Sequence, residues 1–383
     1  MKVLVVGGSG REHAFCWRLS RSHSVENVYA VPGNAGIARD CSCIPGDISS
    51  NAEIASIAQS LDIDLTIIGP EAPLVAGMAD EFLARNLPVV GPSSGAAQLE
   101  GSKIFSKQFM RRHGIPTADF SVVESVAELE ENITQFGFPL ALKADGLAAG
   151  KGVIIVRDKD EAREIGAAML SGDVVGDAGR RLLIEQFLSG EEVSFIVLSD
   201  GKTFFEFPPS QDHKPVFDNN LGPNTGGMGA YCDPRILTEA ERQIILTTIV
   251  ENTLAGIRSE GYPFVGFLYC GLMMTGDGPR VLEYNVRMGD PETQPLMYRM
   301  TGDAGELFLS ATRGSLEHSA VDWEEGPTCC VVCTSSGYPG SYPRGLPIVG
   351  VEEAESTGAK VFHAGTRIQG GELVTAGGRV LGV

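Results

Sequence analysis

Four short apolar runs, each unbroken and each stopped by a glycine-bearing loop, constrain most strongly how this chain can fold. Val3-Leu4-Val5-Val6 runs into Gly7-Gly8-Ser9-Gly10, a run over 28–31 into Pro32-Gly33-Asn34-Ala35-Gly36, one over 65–68 into Gly69-Pro70-Glu71-Ala72-Pro73, and one over 88–90 into Gly91-Pro92-Ser93-Ser94-Gly95. Unbroken rather than alternating apolar character belongs to strands buried on both faces. Helix-period stretches over 11–20, 52–61 and 74–85 lie between them. This predicts an α/β, doubly wound parallel sheet. Ligands of such sheets bind at the carboxyl-end loops, so the four glycine loops mark one candidate pocket.

Beyond residue 101 the pattern changes. A helix over 98–113 carries Lys103 and Lys107 and is stopped by Gly114-Ile115-Pro116. Strands over 120–123, 140–144, 153–156 and 182–187 alternate with helices over 126–136 and 159–170; strand, glycine loop and strand around residue 147 read as a hairpin. A larger mixed region contains a helix over 239–258, strands over 264–274 and 280–286, and a helix over 304–312. A polar stretch over 313–327 reads as a linker to a β-rich tail over 328–383.

A formal charge of -19 repels a nucleic-acid backbone, so nucleic acid is excluded as a partner. No apolar run approaches the roughly 18 residues of a membrane span. The first strand lacks the features of a signal peptide, which makes the cytoplasm the expected location. The 8 cysteines fit neither a disulfide framework nor paired zinc ligands, and reduced thiols are expected.

The glycine loops also exclude two familiar nucleotide motifs. After Gly8-Ser9-Gly10 the third glycine of a dinucleotide fingerprint is missing, and the second run ends on Val31-Pro32-Gly33 without a ribose-binding acid. A helix start beside Arg11 still favours a phosphate monoester. In Asp145-Gly146-Leu147-Ala148-Ala149-Gly150-Lys151-Gly152 the spacing fails the P-loop pattern, and a β-branched run comes next. A glycine hairpin flanked by Lys143 and Lys151 instead suits closure over a triphosphate. In the strand ending Glu283-Tyr284-Asn285-Val286-Arg287, period two puts Glu283, Asn285 and Arg287 on one face. Carboxylate and amide oxygens side by side suit Mg²⁺ shared with phosphates, and Arg287 can hold a second anion.

With these segments assembled, the chain resembles the ATP-grasp ligases, and within them the glycinamide ribonucleotide synthetase family. Gly10-Arg11-Glu12-His13-Ala14, Pro32-Gly33-Asn34-Ala35-Gly36, Gly69-Pro70-Glu71, the segments 98–103, 143–153, 211–214 and 222–230, and Glu283 through Gln294 carry the resemblance, collinear over nearly the whole chain. It implies an N-terminal substrate domain over 1–101, an ATP-grasp core of two α+β lobes over 102–315 with a small flap lobe at about 118–188, and a shortened C-terminal domain over 328–383. It also implies ATP-dependent ligation of glycine to 5-phospho-β-D-ribosylamine through glycyl phosphate, with Mg²⁺ or Mn²⁺, in a monomer or homodimer.

By the same resemblance Lys103 and Lys143 hold ATP phosphates under a flap of Gly146, Gly150, Lys151 and Gly152. Glu185, Phe187 and Leu188 form the adenine hinge, and Glu192 grips the ribose. Glu283 and Asn285 bind the metal, while Arg287, Asp212 and Lys214 serve the chemistry. Gly10, Arg11, Glu71, Asn224, Thr225, Gly226 and Gly227 bind substrate. Ser9 departs from the family, which usually has glycine there. Anionic substrates in so acidic a chain imply a basic pocket around Arg11, Lys103, Lys143 and Arg287, with the acidic excess outside it.

Overall fold

The computed structural model describes residues 1–146, 152–174 and 176–383. Strands β1 (Lys2–Gly7), β2 (Asn27–Pro32), β3 (Ser42–Cys43), β4 (Leu65–Ile68) and β5 (Val89–Val90) form a parallel sheet in the order β3-β2-β1-β4-β5. Val3 and Val5 enter one hydrophobic core and Leu4 and Val6 the other, which is why the run is unbroken. The order reverses between β1 and β4, so the loops after them, at Gly7 and Gly69, stand side by side at the switch point. Helix α1 (Gly10–Leu19) leads away from the first of these loops.

Two expected helices are divided. The stretch over 74–85 forms Glu71–Val75 and Met78–Ala84 because Gly77 takes φ +82° between them. The stretch over 98–113 breaks at Ser102, whose side chain accepts from the Phe105 N–H and starts the helix Lys103–Arg112 afresh.

Strands β6 (Phe120–Val123), β7 (Leu140–Ala144), β8 (Val153–Val156) and β9 (Leu182–Gln186) make an antiparallel sheet in the order β6-β9-β7-β8. Helices Val126–Asn132 and Lys159–Leu170 cover it, and Leu129, Leu140, Leu142, Met169 and Ile184 belong to a core of this lobe alone. The predicted hairpin is the β7–β8 pair.

The region between 190 and 238, undivided in the sequence reading, contains β10 (Glu191–Asp200), β11 (Phe204–Glu206), β12 (Ser210–Asp212), the ribbon β13 (Pro215–Phe217) with β14 (Leu221–Asn224), and β15 (Gly229–Cys232). With β16 (Val265–Thr275), β17 (Gly278–Asn285), β18 (Thr328–Thr334), β19 (Phe362–His363) and β22 (Arg379–Gly382) they build a sheet in the order β17-β16-β10-β12-β15-β18-β22-β19, with β11 also on β10. Strands β20 (Thr366–Gln369) and β21 (Glu372–Thr375) pair separately. The tail is therefore joined to the central region by the β15–β18 ladder. The stretch over 313–327 is packed rather than free: Leu316 is buried, its N–H donates to Asp200 at 3.2 Å, and Trp323 packs on the core.

Candidate active site

A cleft of about 750 Å³ runs between the small lobe, the large sheet and the N-terminal loops. Its first wall is set by strand periodicity. Leu140, Leu142 and Ala144 of β7 face the small-lobe core, so Ala141 and Lys143 face the cleft. On β9, Glu185 lies opposite Ala141. Both Lys143 and Lys107 reach one Glu185 oxygen, Oε2, at 2.9 Å. The other oxygen, Oε1, is buried without a hydrogen-bond partner among the described residues. Burial pushes this carboxyl up, and the two ammonium groups more than offset that, leaving it below the usual range. Burial also pulls Lys107 down to about 8 against the attraction of Glu185.

Lys103 Nζ donates to the Gly146 carbonyl at 2.9 Å, and Asp145 accepts from Ser102 Oγ at 2.8 Å; together these fasten the base of the hairpin to the helix Lys103–Arg112. Gly146 and Gly152 line the cleft, whereas Gly150 and Lys151 lie outside the described residues. Ala141, Val153, Ile155, Leu188, Met273 and Leu282 form an apolar wall beside Phe187. Glu192 receives Lys214 Nζ at 2.9 Å.

The opposite wall is β17, and here the alternation is not continuous. Leu272 pairs with Val281 but Gly271 pairs with Glu283, so one extra residue bulges at Leu282. Val281, Tyr284 and Val286 consequently all face the core, and Glu283, Asn285 and Arg287 all line the cleft. The face read from the sequence is present only on the C-terminal side of the bulge. No described residue hydrogen-bonds to the Glu283 carboxylate. Burial pushes it up, but Lys214, Lys143, Lys103 and Arg287 outweigh this and hold it below the usual range. Asn285 Oδ1 accepts from Arg287 at 3.1 Å. An unbonded, half-buried carboxylate beside an amide oxygen fits a hard divalent cation completed by phosphate and water. No cluster of three or more acidic, His or Cys groups, as a full protein cage would need, occurs among the described residues.

Arg287 is held by Glu100 at 2.9 Å and Glu71 at 3.4 Å, and these acids more than offset the burial that opposes its charge. Asp212 lies 3.5 Å from Lys214. Burial pushes the Asp212 carboxyl up to about 7; Lys214 opposes the rise, and Glu292, Glu192 and Glu283 add to it. The Thr225 N–H and hydroxyl both donate to the Lys214 carbonyl at 2.8 Å, which brings Asn224, Thr225 and Gly226 to the cleft edge.

At the N-terminal end the expected anion site needs correction. The Ser9 N–H donates at 2.7 Å, and Arg11 Nε at 2.6 Å, to the Glu12 carboxylate, so the anion at the start of α1 is supplied by the chain itself. Glycines make the room: a Cβ on Gly69 would stand 2.0 Å from Glu12 Oε1, and one on Gly7, where φ is +125°, 2.6 Å from Glu12 Cγ. Ser9 has φ -100°, an ordinary conformation for any residue, and its Oγ lies 2.6 Å from Glu12 Oε2 and 2.9 Å from Asp290 Oδ2, with one proton to share between them. A second cavity of about 460 Å³ opens here between Gly8, Ser9, Arg11, Gly33, Gly365 and Arg379.

The cleft thus brings together Arg11, Glu71, Lys103, Lys143, Gly146, Gly152, Glu185, Phe187, Leu188, Glu192, Asp212, Lys214, Asn224, Thr225, Gly226, Glu283, Asn285 and Arg287. Gly10 and Gly227, expected at the substrate, line neither cavity; Gly10 packs on Gln294 and Gly227 on Pro291. The basic pocket is also corrected. Eight carboxylates and seven cations line the cleft among the described residues, so it is near neutral while most of the acidic excess lies elsewhere. Sequence reasoning assigned no role to Lys107, Asp290, Glu292, Tyr338 or Arg379. Arg379 reaches the Gly226 carbonyl at 2.6 Å and Asp290 Oδ2 at 3.4 Å, and the Tyr338 hydroxyl accepts from the Gly226 N–H at 3.1 Å. The only sequence signal at Arg379 is its place after Gly377-Gly378.

Models of the phosphoribosylglycinamide synthetase N domain, ATP-grasp (A) domain and C domain match residues 1–100, 101–293 and 328–383. The chain is 47% identical to the phosphoribosylamine–glycine ligase of Yersinia pestis, covering 100% of this chain and 90% of that protein. The same figures hold for the phosphoribosylamine–glycine ligase of Escherichia coli strain K12. The crystal structure of phosphoribosylamine–glycine ligase from Thermotoga maritima superposes with a TM-score of 0.86 at 35% identity, covering 100% of this chain and 91% of that one. An ADP complex of N5-carboxyaminoimidazole ribonucleotide synthetase shares the fold, with a TM-score of 0.66 at 17% identity over 100% of this chain and 91% of that one.

Proposed function

The chain belongs to the phosphoribosylglycinamide synthetase family and is an ATP-dependent ligase joining glycine to 5-phosphoribosylamine in purine synthesis; we propose that it does so through glycyl phosphate, with the cleft residues holding and orienting the reactants. A carboxylate resists an amine because oxide leaves poorly. Transfer of the ATP γ-phosphoryl group to a glycine carboxylate oxygen releases ADP and creates a leaving group. The ribosylamine nitrogen then bonds to the carbonyl carbon, the bond to phosphate oxygen breaks, the nitrogen loses a proton, and glycinamide ribonucleotide and phosphate remain. The protein's task is to position three anionic or zwitterionic reactants and offset their charge.

In this reading the adenine lies on the apolar wall near Phe187 and Leu188, beside the unbonded oxygen of Glu185, with Glu192 at the ribose. Lys103 and Lys143 hold phosphates beneath the flap of Gly146 and Gly152. Glu283 and Asn285 would hold Mg²⁺ or Mn²⁺, which when bound neutralises charge on the phosphates. Asp212, next to Lys214, receives the ammonium of glycine, and Arg287 stabilises the acyl phosphate. Arg11 and Glu71, with Asn224 to Gly226 and Arg379, bound the phosphoribosyl end, whose phosphate enters the 460 Å³ cavity. Among the described residues no helix is long and apolar enough to cross a membrane, and a cytoplasmic location is part of the same proposal.

The observation that carries the residue roles is the unbonded Glu283 carboxylate facing Lys103, Lys143, Lys214 and Arg287 in one cleft. The test supplies freshly generated phosphoribosylamine with ATP and Mg²⁺ and tracks ADP with and without glycine. ADP release should require glycine; release that ignores glycine overturns the reading.

A further inference from the structure

Two of the sequence segments that carry the resemblance, Gly10 to Ala14 and Pro32 to Gly36, contain polar side chains to which the reaction assigns nothing: His13 and Asn34. Neither lines the cleft or the smaller cavity. Both converge on one residue of the C-terminal segment. His13, 1% exposed on α1, accepts the His363 backbone N–H on Nδ1 at 2.7 Å. Asn34 Nδ2 donates to the His363 carbonyl at 2.7 Å and to the Gly8 carbonyl at 3.0 Å. The backbone of His363 is thus gripped on both its polar groups by side chains of the N-terminal domain. The fit leaves no slack: a Cβ on Gly36 would stand 2.3 Å from the His363 ring.

The two residues after His363, Ala364 and Gly365, line the smaller cavity, and their N–H groups donate to the carbonyls of Val380 at 2.8 Å and Arg379 at 2.9 Å. A continuous ladder therefore runs from the grip on His363 to the guanidinium that bounds the cavity. We propose that His13 and Asn34 are positioning residues that latch the C-terminal segment to the N-terminal domain and thereby place Gly365 and Arg379 at the phosphoribosyl end. The inference rests on the reading that this cavity takes the phosphoribosyl phosphate.

Because His13 Nδ1 is the acceptor, its proton sits on Nε2 and is donated to Asp40 at 2.9 Å. A proton added to Nδ1 would face the His363 N–H and open the latch. The charged and titratable groups around the ring are Asp40 from its own domain, and Lys360, Glu355 and His363 from the C-terminal segment, with Arg39 on Glu355. Burial outweighs Asp40 and holds His13 below its ordinary value, so the latch is closed at neutral pH and opens only in acid, below the range in which a free imidazole titrates.

His13→Leu removes the acceptor, whereas His13→Asn keeps an oxygen near the position of Nδ1 and cannot titrate. His13→Leu should raise the KM for phosphoribosylamine and the Kd for glycinamide ribonucleotide by about tenfold while the KM for ATP stays within about twofold. His13→Asn should recover most of that loss. As pH falls below the ordinary imidazole range the wild type should lose product affinity more steeply than His13→Asn, a comparison that cancels titration of the product's own phosphate. Hydrogen exchange at the His363 amide should rise in His13→Leu and fall back in His13→Asn. Unchanged exchange, no rescue by Asn, or an equal rise in the KM for ATP each overturn the latch. Arg379→Ala tests the underlying reading separately. If it leaves product affinity intact, the cavity assignment fails, while the exchange data still judge the latch.

Discussion

At the proposed nucleotide end of the cleft Lys103, Lys107 and Lys143 stand on a helix and a strand and converge on carbonyl and carboxylate oxygens of the small lobe. Toward the proposed phosphoribosyl end Arg11 and Arg379, with Arg287 between them and the rest of the cleft, come from three distant parts of the chain, and each is already matched to acids: Arg11 to Glu12, Arg287 to Glu71 and Glu100, Arg379 to Asp290. The first end holds its cations at positions set by helix and strand period. The second holds them at the starts and ends of separate elements, where the acids packed against them fix them. A near-neutral lining in a chain of charge -19 is the result of this arrangement. The acids beside the arginines fix where the cations stand, and a bound metal would add the positive charge that the lining lacks.

The sharpest way to break the contrast is at Glu283, whose carboxylate has no bonding partner among the described residues. Glu283→Ala should lower turnover by about 10²-fold or more at saturating ATP and Mg²⁺, since it removes the proposed charged ligand of the metal without freeing another group. Wild-type turnover in that variant would place the metal elsewhere.

A middle-sized effect separates two carboxylates of the same cleft by pH. Glu283 is held below the usual range and stays ionised through neutrality. Asp212, pushed up to about 7, carries a proton below that value and loses it above. If the ionised form receives the glycine ammonium, the KM for glycine should fall by about tenfold between pH 6 and pH 8, the ratio of ionised fractions for a group titrating midway. Asp212→Asn should bind glycine weakly at every pH in that window. A flat wild-type profile would remove Asp212 from the role.

The smallest effect is expected at Ser9, the departure from the family's usual glycine. Its backbone is unstrained, and the bond to Glu12 from its N–H does not depend on the side chain. Ser9→Gly should therefore keep steady-state constants within about twofold, the size of a surface-grade change. A large loss would show that the hydroxyl bonds to Glu12 and Asp290 hold the phosphoribosyl end together.

The same division explains what the residues revealed before any coordinates. Glu283, Asn285 and Arg287 were legible because period two is a local property of a strand, Lys143 because it flanks a glycine-rich hairpin, and the unbroken runs marked the parallel sheet because they too are local. The bulge at Leu282 was not legible, since it is defined by the partner strand and changes the parity only from Glu283 onward. Nor was Glu12 as the anion at the start of α1, because that depends on glycines at 7 and 69 meeting across the switch point. Arg379 lay in a tail joined through β18 to a region about a hundred residues earlier, so nothing near it in sequence pointed to the cleft.

The separate core of the small lobe has a thermodynamic consequence. Leu4, Val6, Phe195, Val197 and Leu268 share one core, so the N-terminal sheet and the large sheet must melt together, whereas Leu129, Leu140, Met169 and Ile184 answer only to one another. The lobe is thus a cooperative unit of its own, free to open at a lower cost than the whole molecule. A nucleotide gripped between that unit and the rest stabilises the closed form by mass action. ATP concentration would then set how much of the time this one part of the enzyme stands open while the rest stays folded.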